Sequence, residues 1–86
     1  MESQQGPQEI KVRASAQGAP ISFTRKSLTC NIAKVYENWR VCDEWWQKEI
    51  RRDYFRVETD KGLVYDVYHD LIVDQWYLSR IQGGLR

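Results

Sequence analysis

The sequence predicts an all-β or β-dominated domain: a curled antiparallel meander of five to six strands, a half-barrel, with one short helical insert near residues 43–48. Three observations carry this. Apolar and polar residues alternate with period two through most of the chain, Gly and Pro clusters interrupt that alternation at short intervals, and the single stretch suited to a helix is only a turn or two long. A chain of 86 residues supports one core, so a single domain is expected over residues 9–82, between a disordered tail at 1–8 and a flexible tail at 83–86.

Ile10, Val12 and Ala14 alternate with Lys11, Arg13 and Ser15, which suits a strand with one wet face. AQGAP then turns the chain, because Gly18 tolerates positive φ and Pro20 cannot donate to a ladder. Ile21 and Phe23 open a second strand, the polar RKS makes a tight turn, and Leu28, Cys30 and Ile32 carry the apolar face of a third. The step from Ile32 to Val35 breaks the period, which predicts a bulge or bend near Ala33 and Lys34. Asp43 is placed to cap a brief helix carrying Glu44, Trp45, Trp46, Gln47 and Lys48. Beyond it, Tyr54–Thr59 and Leu63–His69 flank an Asp60-Lys61-Gly62 turn and form the clearest hairpin, with Phe55 and Val57 inward and Arg56, Glu58 and Asp66 toward water. Trp76–Ile81 is the last strand.

The totals exclude several classes. Thirteen Lys plus Arg against twelve Asp plus Glu leave a charge of +1, too little for a dedicated phosphate-backbone binder. No stretch of eighteen apolar residues occurs, and the N-terminal MESQQGPQE has no signal-like apolar region, so a cytoplasmic protein with no membrane partner is expected. Cys30 and Cys42 lack further Cys or His for a zinc site, so free thiols, no metal and no cofactor are expected. His69 is the only histidine, and beside Asp70 it reads as a strand end meeting a turn rather than as half of a proton-transfer pair. The glycines sit in turns or the tail without the strand-to-helix setting of a phosphate loop. An enzyme is not expected.

The stretch WRVCDEWWQKEIRRDYF holds three of the four tryptophans together with paired arginines. Large aromatics pack over sheets in small β domains, and they also present flat faces to peptides or bases while Arg meets acidic groups. We take Arg40, Trp45, Trp46, Arg51, Arg52 and Tyr54 as the candidate contact face. One tryptophan of the adjacent pair can be buried while the other is presented, since neighbours on a helical turn point about 100° apart.

The succession PISF, an apolar strand ending in WRV, DEWW, an Arg-rich step into YFRV, a glycine turn and WYL resembles a family of small bacterial domains of unknown function over most of residues 9–81. A looser likeness, at DEWW, FRVETDKG and WYL, is to the C-terminal region of the catalytically inactive Y-family polymerase-like subunit of the bacterial mutasome. That second resemblance implies an accessory module that binds partner proteins or DNA, in a DNA-repair setting and without polymerase chemistry. The expected function is a non-enzymatic binding module whose partner is a protein, with single-stranded nucleic acid or a second copy (a homodimer) as the alternatives. For the homodimer, the exposed edges are expected at Ile10–Ser15 or Trp76–Ile81.

Overall fold

Each alternating strand has one apolar face, and six such strands hide all of those faces together only by closing on themselves. The computed structural model describes residues 7–45 and 48–84, which form β1 (Gln8–Ala14), β2 (Pro20–Arg25), β3 (Leu28–Trp45), β4 (Lys48–Thr59), β5 (Leu63–Asp70) and β6 (Gln75–Gly84). All neighbours are antiparallel and the order β1 to β6 closes into a barrel. The expected half-barrel is therefore completed by Gln8, Glu9 and Ile10 pairing with Leu78, Tyr77 and Trp76. This seam occupies part of both strands offered above as edges for a second copy. β6 also runs on through Gly83 and Gly84, opposite Val64 and Leu63, past the boundary expected at residue 82. A ladder needs only backbone groups, which glycine retains.

Ile10, Phe23, Phe55, Val57, Tyr65, Val67 and Leu78 fill the interior, with Val12, Cys30, Ile32 and Trp76 packed against them. Phe23 meets Tyr65 edge to face at 5.2 Å, an arrangement that places a ring edge on a ring quadrupole.

The predicted irregularity at Ala33 is present: pairing slips between Ile32 and Lys34, and again between Val35 and Glu37. These two bulges bend β3 so that Leu28–Asn31 pair with β2 and the stretch from Ile32 to Trp45, apart from the bulged Ala33 and Tyr36, pairs with β4.

No helix occurs among the described residues, which corrects the insert expected near 43–48. Asp43, Glu44 and Trp45 lie in β3, opposite Ile50, Glu49 and Lys48. A helix of one or two turns with no core beneath it cannot repay its nucleation, whereas extending an existing hairpin adds ladder bonds to a formed neighbour. Asp43 accepts a hydrogen bond from the Glu44 amide at 2.9 Å instead of capping a helix.

The turns follow the chemistry of their residues. Ser15 Oγ accepts from the Ala19 amide at 3.2 Å. The buried Thr59 accepts from the amides of Lys61 and Leu63 at 3.3 Å through its hydroxyl. Gly62 closes that turn at φ +83°, and a Cβ there would meet nothing within 4 Å, so only backbone conformation resists substitution. Gly62→Ala is expected to cost about 1 kcal/mol in urea unfolding. A cost indistinguishable from zero would show that the turn relaxes freely.

The β2–β3 turn departs from this pattern. Lys26 and Ser27 both take positive φ, 50° and 69°, in a two-residue turn that Asn-Gly would fill without strain.

Candidate functional site: an aromatic row and a projecting ribbon

Pairing between β4 and β5 ends at Arg52 opposite Asp70, followed by a bond from the Leu71 amide to the Arg51 carbonyl at 2.9 Å. β3 and β4 continue alone to Trp45 and Lys48. The result is a two-stranded ribbon projecting from the barrel, and Val41, Cys42, Asp43, Glu44, Glu49 and Arg51 on it are exposed. No described strand pairs with the other edge of β3 from Ile32 to Trp45.

One-to-one register along the ribbon sorts its side chains into two faces. Trp39, Val41, Ile50, Arg52 and Tyr54 share the face that continues onto the barrel's outside, while Arg40, Cys42, Arg51 and Asp53 share the face that continues from the core residue Phe55. The expected contact set is thereby divided. Arg52 and Tyr54 lie together on the outer face, and Arg40 and Arg51 lie on the opposite one. The Trp45 backbone ends β3 at the ribbon tip, and Trp46 lies outside the described residues.

Arg40 and Arg51 are engaged locally. Arg40 donates through Nε and Nη2 to the Asp53 carboxylate at 3.4 and 3.2 Å, and this carboxylate raises the guanidinium's pKa. Arg51 pairs with Glu49. At this exposure such pairs contribute little to stability and leave the charges accessible to a partner.

The outer face carries the more ordered arrangement. Trp39, Tyr54, Tyr68 and Tyr77 stand at matched register positions on β3, β4, β5 and β6. Their rings form a continuous row, with centroid separations of 5.3, 4.8 and 5.2 Å. Arg52 lies over Tyr68 at 4.7 Å and Arg56 lies 5.9 Å from Trp39, both within cation–π range. Tyr68 is buried, although it points away from the core, and burial raises its hydroxyl pKa despite the opposing charge of Arg52.

Below the row Asp66 accepts from Arg56 Nε and Nη2 at 2.9 and 3.2 Å and from Gln82 Nε2 at 2.8 Å. The expectation that Asp66 faces open water is corrected: it is 6% exposed. Burial pushes its carboxyl upward, and the hydrogen bonds from Arg56 and Gln82 outweigh burial to hold it below its ordinary value.

His69 lies on the opposite face from Tyr68, its ring parallel to Trp76 at 4.6 Å and its Nε2 2.8 Å from Asp74 Oδ1. Asp70 Oδ1 accepts from the Ile72 and Val73 amides at 3.0 and 3.4 Å, as a turn-initiating aspartate does. Among the described residues no three His, Cys, Asp or Glu side chains cluster as metal ligands, and Cys30 and Cys42 are free.

The family model for the domain of unknown function DUF6504 matches residues 4–83. The chain belongs to the DUF6504 family. No curated protein and no solved structure matches it. In this DUF6504 domain the site is therefore defined by its own geometry. Trp39, Arg56, Tyr68 and Tyr77 are additions to the contact set read from sequence. The signal for Tyr68 was present: the Asp60–Gly62 turn fixes Tyr54 opposite Tyr68 once the hairpin is counted outward.

Proposed function

We propose that this domain is a non-enzymatic protein-interaction module that receives an extended segment of its partner along the free edge of β3. The observation that supports it is the projecting ribbon. A two-stranded hairpin is marginal in water and this one buries little, so a third strand added to β3 would satisfy its open backbone groups and anchor it. Trp39 and Val41 on one face, with Arg40 and Cys42 on the other, would flank the incoming segment.

The aromatic row favours protein over single-stranded nucleic acid. Base stacking needs a free ring face, but the faces of Tyr54 and Tyr68 are taken by their neighbours and by Arg52. The near-neutral charge points the same way. The looser likeness to the mutasome subunit makes a bacterial DNA-repair assembly, in the cytoplasm, the setting we propose for the partner.

Extended peptides selected by display against the domain are expected to protect β3 amides between Ile32 and Trp45 from hydrogen exchange. Consecutive residues on a strand direct their N–H groups to opposite edges. Of Val41→Pro and Cys42→Pro, one therefore removes a bond to β4, and the other removes only a free-edge donor. The second is expected to keep the β3–β4 ladder and weaken peptide binding about tenfold. Footprints that avoid β3, or binding untouched by both prolines, would overturn the proposal. Labelled single-stranded DNA at low salt is expected not to bind at tens of micromolar; salt-sensitive binding there would transfer the site to nucleic acid.

A further inference from the structure

At the end of the barrel where the β1–β6 seam opens, a second site is built from different residues. β1 leaves β6 after the three pairs that end at Gln8 and Leu78, and the β2–β3 turn stands beside the gap. Arg25, Lys26, Leu78, Ser79, Arg80 and Ile81 line a cleft of about 610 Å³ there.

Its charge is one-sided. Among the described residues, three cationic side chains and no carboxylate line the cleft, in a domain whose net charge is only +1. None of the three makes an ion pair with a described residue. Glu9 and Lys11 line an adjoining, smaller recess that shares Arg25 and Lys26 with this cleft, and Glu9 pairs with neither cation. Asp66, the carboxylate beside Arg80, is already bound by Arg56 and Gln82.

Two further observations indicate a ligand. Arg25 is on the inward side of β2, two residues beyond the buried Phe23, and its Nε, like that of Arg52, is buried without a hydrogen-bond partner among the described residues. A buried donor of this kind is rare unless something supplies the acceptor. The turn that presents Lys26 is the strained one, with both central residues at positive φ, and strain of this sort concentrates at binding sites. Ser79 adds a hydroxyl from the irregular step of β6, where pairing passes from Arg80 opposite Asp66 to Leu78 opposite Val67.

We propose that this cleft binds a phosphate monoester. A dianion matches the cluster better than a carboxylate, the guanidinium fork of Arg25 suits phosphate oxygens, and Leu78 with Ile81 offers an apolar wall to the organic part of the ester. This site is independent of the ribbon and stands or falls without it.

The test is a titration of the ¹⁵N-labelled domain with inorganic phosphate, phenyl phosphate and acetate at constant ionic strength. Phosphate is expected to shift the amides of Arg25, Lys26, Ser79 and Arg80 and to saturate on the order of 1 mM, with phenyl phosphate tighter and acetate without effect. Lys26→Gln combined with Arg80→Gln, both exposed and harmless to the core, is expected to weaken phosphate at least fivefold, as is Arg25→Gln, while Arg13→Gln leaves it unchanged. Shifts spread over all surface cations, equal response to acetate, or a double variant that binds phosphate normally would overturn the proposal.

Discussion

Phe23→Ala is expected to lower the unfolding free energy by about 3–5 kcal/mol, close to the whole stability of a domain this small. Phe23 is 1% exposed, lies on a six-residue strand and joins β2 to the far wall of the barrel through Tyr65. β2 is held by four register pairs on each side, so little else would keep it in place once the ring is gone. Urea unfolding followed by near-ultraviolet circular dichroism measures the effect. A loss below about 1.5 kcal/mol, the size of a conservative core change, would mean that the barrel does not depend on this contact.

Asp66→Asn is expected to cost about 2 kcal/mol at neutral pH, because one buried carboxylate satisfies both Arg56 and Gln82, and an amide cannot accept the same set with charge. The variant also has a pH signature. The folded-state pKa of Asp66 is depressed below its ordinary value near 3.8, so its contribution is fully present above that value and disappears as pH falls through the folded value. Wild type and variant are therefore expected to differ at pH 7 and to converge below about pH 4. A difference that stays constant down to pH 2 would show that the carboxyl's charge has no part in stability.

Much of the barrel was legible in the chain. The hairpin around Gly62 was readable because a glycine turn fixes register and Phe55, Val57, Tyr65 and Val67 repeat with period two on either side. The bend at Ala33 was readable as a broken period. Asp43–Trp45 satisfy local helix rules, with a capping residue before a polar, aromatic run, while the strand they form depends on a partner at Lys48–Ile50 supplied by the chain's own return. Parity places Asp66 toward water, and parity cannot report that Arg56 and Gln82 from neighbouring strands cover it.

The candidate site divides along the same line. Arg52 and Tyr54 were named from sequence and stand on one face, but Arg40 and Arg51 were grouped with them by proximity along the chain, which ignores the flip of side chains at each strand residue. Tyr77 enters the row only because β6 is the next strand, and Arg25 lines one cleft with Arg80 only because the barrel closes.

By itself the sequence determined the strands, their turns and most of the inward set, since those depend on spacing within a hairpin. Only the tertiary structure decided that the meander closes, that four rings align across four strands, and that β3 outruns its neighbours. Those features arise from contacts between residues distant in the chain, whose geometry no local period encodes.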